Sequence, residues 1–536
     1  MSWSDRSQET GAPGGLRRTL HAAAYIALLC AARGLLAQTS LPAEAAARMT
    51  PARARAHIYT LASDRMLGRD TPSPELDSAA DYIIACFRRY GVEPVNGSYA
   101  NQYNLIQQDL GSPNVLAIGG RLFALKTQFV PLEFSSSGHV SAEAVFVAYG
   151  LSRPDSAYDN YAGIDVRGRI AVAFEGEPED RGGLFMRARE KMRTAAGHGA
   201  VGLILLPNPA RSMSMKVNGF PWPALYGGSG LPQSWRLELP SDSNAIPCIS
   251  ADGSVMQALL GSAAEGDSLV PFMASLDAGS AGAIGRTLGM VDLRTSIDCR
   301  RRTVRNVVGM VRGATLPDEY VVIGAHYDHI GHGRHGDIAG RSLRDTIFNG
   351  ADDNASGTAA MLLAAEAFAS LRNDQRPARS LLFIAFSGEE KGLFGSRAYV
   401  ERPSVPNRDI AAMINLDMVG RNRPNRLSVA GTTRSTLLDE MLAQANRDEP
   451  MDLVFDLERM FPRSDQASFA ARGVPALFFS SGLHPDYHRP SDEPGKINVA
   501  KVAHVARLAA RTAWIIAERP ERPRTVDAGG EHLPQE

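Results

Sequence analysis

Residues 320–328 read Tyr-Val-Val-Ile-Gly-Ala-His-Tyr-Asp: an apolar run of strand length that ends on an imidazole, His326, and then a carboxylate, Asp328. The same grammar recurs three times downstream. Residues 381–386 run into Glu389-Glu390, residues 412–416 into Asp417, and residues 476–480 into the segment from His484 to His488. Helix-like stretches at 355–371 and 435–446 separate them, and 498–518 is amphipathic, with Val502, Val505, Ala509, Thr512 and Ile516 on one side. Strands alternating with helices predict an α/β fold with a mostly parallel or mixed central sheet flanked by helices. Ligands of such sheets bind beyond the carboxyl ends of the strands, so these polar residues are expected to share one rim.

The residue types on that rim point to a metal. His326, Asp352, Glu390, Asp417 and His488 supply imidazole nitrogens and carboxylate oxygens but no thiolate, a donor set suited to zinc and less selectively to manganese or cobalt. One ion would not use them all. Two ions ~3.5–4 Å apart, sharing one carboxylate, would. Adjacent residues at a strand end cannot both face one ion without strain, so of Glu389 and Glu390 one should coordinate and the other stay free as a base.

The rest of the chain sets the context. Its 536 residues carry 57 Lys+Arg against 58 Asp+Glu, a net charge of −1, with 44% hydrophobic residues. That balance excludes a polybasic nucleic-acid arm and an acidic disordered tail. Glycine (50) and proline (32) fall well below the roughly 25–30% of low-complexity chains. The length predicts two or three domains. Arg17-Arg18, an apolar stretch over 20–29 and the small residues Ala31, Ala32 and Ala37 read as a signal peptide over 1–38, too short for a membrane span, which implies a secreted or periplasmic protein. The arginine pair also permits a twin-arginine route. Of the four cysteines, Cys30 falls within that leader, and Cys86, Cys248 and Cys299 form no C-x-x-C pair, so they read as buried or singly paired. Residues 51–90 read as helical, ended by Gly91. Texture shifts to short β runs, such as 144–148, 170–174 and 201–206, with one helix at 183–198. These predict a β-rich α+β domain over 131–278, inserted between an N-terminal part (45–130) and the main part (279–518) of one domain. A loose tail follows over 519–536.

The segments GAHYDHIG, NGADDNASG, FSGEEKGLFGS, INLDMVG and PDYHRPSDE stand in the order seen in the co-catalytic two-zinc aminopeptidases, a family that includes secreted bacterial aminopeptidases and glutamate carboxypeptidases. The chain resembles that family over residues 306–496, and more loosely over 61–94, where MLGRDTPSPELDSAADYI is similar to the family's N-terminal segment. The region with YDNYAGIDVRGRIAVAFEGEP and AAGHGAVGLILL resembles a protease-associated domain. The resemblance implies that His326 and Asp417 complete one zinc, Glu390 and His488 the other, and Asp352 bridges them. It also implies that Glu389 is the general base, that Asp328 orients the His326 imidazole, and that Tyr487 supports the oxyanion. One departure stands out: where relatives often read Ser-Asp-His, this chain has Ser464-Asp465-Gln466, which bears on substrate fit.

Several neighbours compete for these roles. His329, His332 and His335 continue a three-residue spacing from His326, but Gly331, Gly333 and Gly336 disfavour a helix there, so solvated loop histidines are expected. His484 lies four residues before the better-matched His488. Asp353 could ligate in place of Asp352, though the motif register favours Asp352. Asp492 and Glu493 read as loop charges or a helix N-terminus, Ser356 as a helix-start residue rather than a nucleophile, and Asp465 as a substrate contact or a turn. The expected function is a secreted zinc exopeptidase acting on peptides, most simply an aminopeptidase. In it a water activated between two zinc ions gives its proton to Glu389 and attacks the scissile carbonyl. A carboxypeptidase or dipeptidase on the same scaffold, a one-zinc glutaminyl cyclase and a non-catalytic receptor-like relative are the alternatives.

Overall fold

The computed structural model describes residues 40–132, 134–153, 158–176, 188–208, 235–238, 244–261, 271–272, 284–333 and 345–526. The leader expected over 1–38, and His335, lie outside them. The chain divides into two compact units, one of residues 1–102 and 304–536 and one of residues 103–303.

After a single helical turn at Ala43–Ala46, the first unit has two helices where a continuous helical stretch is expected. Pro51–Leu61 (α1) and Pro74–Tyr90 (α2) each start with proline behind a hydroxyl cap: Thr50 Oγ1 accepts from Arg53 N, and Ser73 Oγ from Leu76 N at 3.0 Å. Between them Leu67, Gly68 and Arg69 take positive φ (38°, 72° and 49°), which turns the chain away from a helix. Gly91, at φ 79°, closes α2 as expected.

Seven of the strands of this unit's sheet position the site. In chain order the elements are Ile297–Val311 (β1, within this unit from Val304), Leu316–His326 (β2), Gly357–Ala369 (α3), Arg379–Phe386 (β3), Phe394–Glu401 (α4), Ile410–Leu416 (β4), Arg426–Ala430 (β5), Leu438–Ala445 (α5), Asp452–Val454 (β6), Ala476–Ser480 (β7) and Val499–Glu518 (α6). The sheet order is β1-β3-β2-β4-β7-β5-β6. The central β3-β2-β4-β7 strands are mutually parallel, while β1 pairs β3 and β5 pairs β7 antiparallel. The sheet is therefore mixed, with a parallel centre whose carboxyl ends share one edge. Buried on both faces, β3 and β4 are apolar almost throughout. Helices α3 and α6 pack on the sheet, with Trp514 stacked on Phe368 at 6.2 Å between centroids.

The tail expected to be loose from residue 519 docks as far as 526. Thr436 N donates to Arg524 O (2.8 Å) and Val526 N to Arg434 O (2.9 Å), while the buried Arg379 guanidinium donates to Ile516 O and Pro520 O. Backbone pairing, which composition does not display, holds these residues.

The second unit has an eight-stranded sheet in the order 121–123, 115–118, 287–295, 138–146, 170–174, 202–206, 248–251, 129–131. It is wider than the 131–278 expected, because the strands Val115–Ile118 and Thr287–Thr295, one on each side of that range, pair with each other inside this sheet. Cys86 and Cys248 are buried, Cys299 is exposed, and none is in a disulfide. No helix among the described residues is long and apolar enough to cross a membrane.

Candidate metal centre

The rim of the parallel strands brings the candidate ligands together, with one exchange and one addition in their membership. His326 is the last residue of β2, Glu389-Glu390 follow β3, Asp417 follows β4, and the loop after β7 reaches His488. The loop before α3 is held by Asn354, whose Nδ2 donates to Leu416 O (2.8 Å) and whose Oδ1 accepts from Gly357 N and Met418 N. Gly357 is required there: a Cβ would stand 2.2 Å from Leu416 O.

Two groups of possible metal ligands result, and one carboxylate belongs to both. His329, Asp353, Glu390 and His488 form the first, and His326, Asp353 and Asp417 the second. Asp353 turns Oδ1 to His326 Nε2 (3.3 Å) and Oδ2 to His488 Nε2 (3.2 Å). Asp417 Oδ1 lies 3.3 Å from His326 Nε2, and Glu390 Oε2 3.1 Å from His488 Nε2.

Asp352, expected as the bridge, is in neither group. Its Oδ1 accepts from Gly420 N at 2.6 Å and its Oδ2 faces His484 Nε2 at 3.3 Å. The reason is the backbone: Asp353 (φ −104°, ψ 93°) and Asn354 (φ −130°, ψ 46°) leave helical geometry, so the two neighbouring carboxylates diverge. Asp492 stabilises that turn, its Oδ2 accepting from both Asp352 N (2.9 Å) and Asp353 N (3.1 Å). His484 thus pairs with Asp352, and Asp492 serves the backbone.

His329 is the residue the sequence reading misplaced. It is fully buried rather than solvated, with Nδ1 2.6 Å from Glu390 Oε1 and its ring edge-on to His488. Among the described residues the exit from β2 is extended rather than helical and, bridged to Asp70, delivers the side chain inward. His332, bridged to Ile347, is exposed.

Glu389 stands beside both groups without joining either. Its N–H donates to Asp328 Oδ1 (3.2 Å), and its carboxylate has no hydrogen-bond partner among the described residues. Asp328 itself is fully buried. Its Oδ1 lies 3.6 Å from His326 Nδ1, which also meets the Asp328 carbonyl at 3.2 Å. Tyr487 stacks on His488 at 3.8 Å. Ser356 Oγ donates to Asp352 O and accepts from Val419 N, a structural role. Ser464 Oγ donates to Asp417 Oδ2 (2.8 Å) and accepts from Asn415 Nδ2, which also donates to Gln466 Oε1. Gln466 Nε2 in turn donates to Phe461 O. Gln466 is therefore a buried brace behind Asp417.

Protein charges alone make this site tense. Burial pushes the Glu389 carboxyl well above its ordinary range, and Glu390, Asp417 and Asp465 add to the rise against the pull of His326. Asp465, fully buried, is pushed up to about 7, chiefly by burial. Burial would lower both His326 and His488. Asp417 and Glu389 outweigh it at His326, holding it well above the usual range, and the adjacent Asp353 and Glu390 carboxylates raise His488 to about 10. Burial together with Asp353 and Glu390 raises the Tyr487 hydroxyl, which stays protonated.

The donor set fits dications. Nε2 of His329 and of His488 are buried without hydrogen-bond geometry to any partner among the described residues, although His488 Nε2 is within 3.2 Å of two carboxylates. Acceptors converging without hydrogen bonds are what metal ligation requires.

Residues 306–513 match the model of peptidase family M28. The chain is 28% identical over 352 residues to a probable glutamate carboxypeptidase of Zea mays, covering 61% of this chain and 45% of that protein. It is 30% identical over 217 residues to a probable leucine aminopeptidase of Arthroderma benhamiae, covering 37% and 55%. It thus spans about half the length of these relatives. Among solved structures, an aminopeptidase from Aneurinibacillus sp. strain AM-1 is 24% identical, covering 89% of this chain and 96% of that one, with a TM-score of 0.45. The match over residues 306–513, which takes in both ligand groups and Glu389, identifies this part of the chain as a peptidase family M28 domain.

Proposed function

We propose that this chain is a two-zinc exopeptidase, most simply an aminopeptidase, exported to the periplasm or beyond. The carrying observation is that Asp353 offers one oxygen to each of two ligand groups, beside a glutamate in neither. His326 and Asp417 would hold one zinc, and Glu390 and His488 the other, with Asp353 shared; His329 would ligate or anchor Glu390. Bound zinc would supply Lewis acidity toward the substrate carbonyl and acidify water near neutrality.

The chain's own groups then divide the work. Neighbouring dications would pull the Glu389 carboxyl back down, since bound cations invert the local charge balance. Glu389 then takes a proton from the attacking water and returns it to the leaving amine. The protonated Tyr487 hydroxyl donates to the oxygen that gains charge. Asp328 and Ser464 hold His326 and Asp417 in place.

The names of the relatives support both an amino- and a carboxypeptidase, and the pairing of nearby cations among the described residues favours the first. A substrate α-carboxylate needs a cation. Lys391 is paired to Asp70 (2.9 Å), Arg421 to Asp486 (2.7 Å), and Lys501 donates to Arg421 O. The test is a panel of aminoacyl anilides and N-blocked peptides, assayed with and without chelator. Hydrolysis that requires a free amine and is lost on chelation supports the reading; cleavage requiring a free α-carboxylate, or unaffected by chelation, refutes it. A metal content near one per chain would favour the cyclase alternative.

A further inference from the structure

The tight turn between α1 and α2 lies about 250 residues upstream of the first ligand, yet it touches three of the loops that carry the centre. Arg69 is fully buried, and no carboxylate among the described residues neutralises it by direct contact. Its guanidinium donates to four carbonyls: Nε to Tyr327 O (2.8 Å), Nη1 to Leu61 O (2.5 Å) and Asn349 O (2.8 Å), and Nη2 to Gly350 O (3.1 Å). Tyr327 follows His326, and Asn349-Gly350 precede Asp353, so one side chain ties together the loops of two ligands.

Thr71 does the same for the third. Its hydroxyl donates to Asp328 Oδ2 and accepts from Gly388 N, both at 3.0 Å, linking the His326 loop to the residue before Glu389. The turn's backbone completes the clamp: Arg69 O accepts from His329 N (3.3 Å) and Gly68 O from Gly331 N (3.1 Å). Gly68 is needed for this approach, because a Cβ would stand 2.3 Å from Gly331 O, at φ 72°.

We propose that the Gly68–Thr71 turn is a positioning clamp for the metal centre, in which Arg69 and Thr71 set the spacing of the loops bearing His326, Asp353 and Glu389. This rests on the two-zinc reading above and extends it to residues outside the 306–513 match. A guanidinium suits the task because its planar fork reaches several carbonyls at once while its fixed charge lies behind a cluster of carboxylates; an ammonium cannot span them. Partners that orient ligands typically carry 10–100-fold of metal affinity or activity.

The test uses the full chain and zinc itself. Thr71→Val keeps the shape of the side chain but loses both hydrogen bonds, Thr71→Ser restores them, and Arg69→Lys keeps charge without the fork. Zinc affinity is measured by chelator competition, and kcat and KM separately on an aminoacyl anilide. The expected result is zinc held about 10–100-fold more weakly in Thr71→Val and Arg69→Lys, with kcat falling by a similar factor, KM little changed, and Thr71→Ser close to the parent. Should Arg69→Lys fail to fold, the Thr71 pair decides alone. Zinc affinity and kcat in Thr71→Val equal to the parent's would overturn the clamp while leaving the two-zinc reading standing. A parent chain that binds no zinc would remove both.

Discussion

Neutralising Asp353 and, separately, its neighbour Asp352 discriminates between the two candidate bridges more sharply than any single loss of activity. Asp353 lies 3.3 Å from His326 Nε2 and 3.2 Å from His488 Nε2, with one oxygen turned to each. At an effective dielectric of about 20, this carboxylate and a unit of cation charge held ~3.3 Å away would interact by roughly 5 kcal/mol. If relaxation and water recover half, about 2.5 kcal/mol remains, or on the order of 10²-fold in affinity. Asp353→Asn should therefore release zinc at chelator concentrations about a hundredfold lower than the parent tolerates, with both ions affected because both groups share the residue. In Asp352→Asn the amide oxygen can still accept from Gly420 N, and its NH₂ can face His484, so the loss should be about tenfold or less. Metal content by mass spectrometry, chelator competition and anilide hydrolysis are read together. The reasoning fails if Asp352→Asn strips the zinc while Asp353→Asn keeps two ions per chain.

Three further outcomes are expected. Glu389→Gln should retain parental zinc content while hydrolysis falls about 10²–10⁴-fold, the usual contribution of a general base; a variant of near-parental turnover would remove Glu389 from the chemistry. Ser464→Ala frees Asp417 Oδ2 from its 2.8 Å donor and should weaken zinc retention about tenfold, seen as a lower half-point in chelator titration. His57, in α1, is held between the Tyr82 and Tyr90 hydroxyls (2.8 and 3.0 Å), and burial, then Arg89 and Arg53, lower it to about 4. Against 6.5 unfolded, the unfolded chain binds the proton first as pH falls. About 3 kcal/mol of stability, fully present above pH ~6.5, should thus be lost towards pH ~4. Urea midpoints across that range should decline less in His57→Gln.

What could be read from the amino-acid sequence was set by short-range regularities. Apolar runs of strand length separated by amphipathic stretches imply a parallel-centred sheet, and β7 falls on residues 476–480 as expected because all of it is buried. Residues that follow such runs lie on the rim, so His326, Asp417, the Glu389-Glu390 pair and the His484–His488 segment were accessible to pattern, while the choice of Glu390 and His488 within them came from the family resemblance. The docked 519–526 segment and the span of the second unit were not, since backbone pairings across long separations leave no local trace.

The choice between Asp352 and Asp353 shows where local pattern stops. Both are acidic, adjacent and buried, and both precede the same helix; what separates them is the φ/ψ of Asp353 and Asn354, fixed by Asp492, Asn354 and Gly420 through contacts 60 to 140 residues apart in the chain. His329 was hidden for a related reason. Glycines rule out a helix but not an extended strand exit, and it is Arg69 O, through its hydrogen bond to His329 N, that holds this exit extended. In each case a distant part of the chain decides which of two chemically equivalent side chains faces the rim. Ligand identity here is therefore a tertiary property, carried by side chains that would never themselves touch a metal.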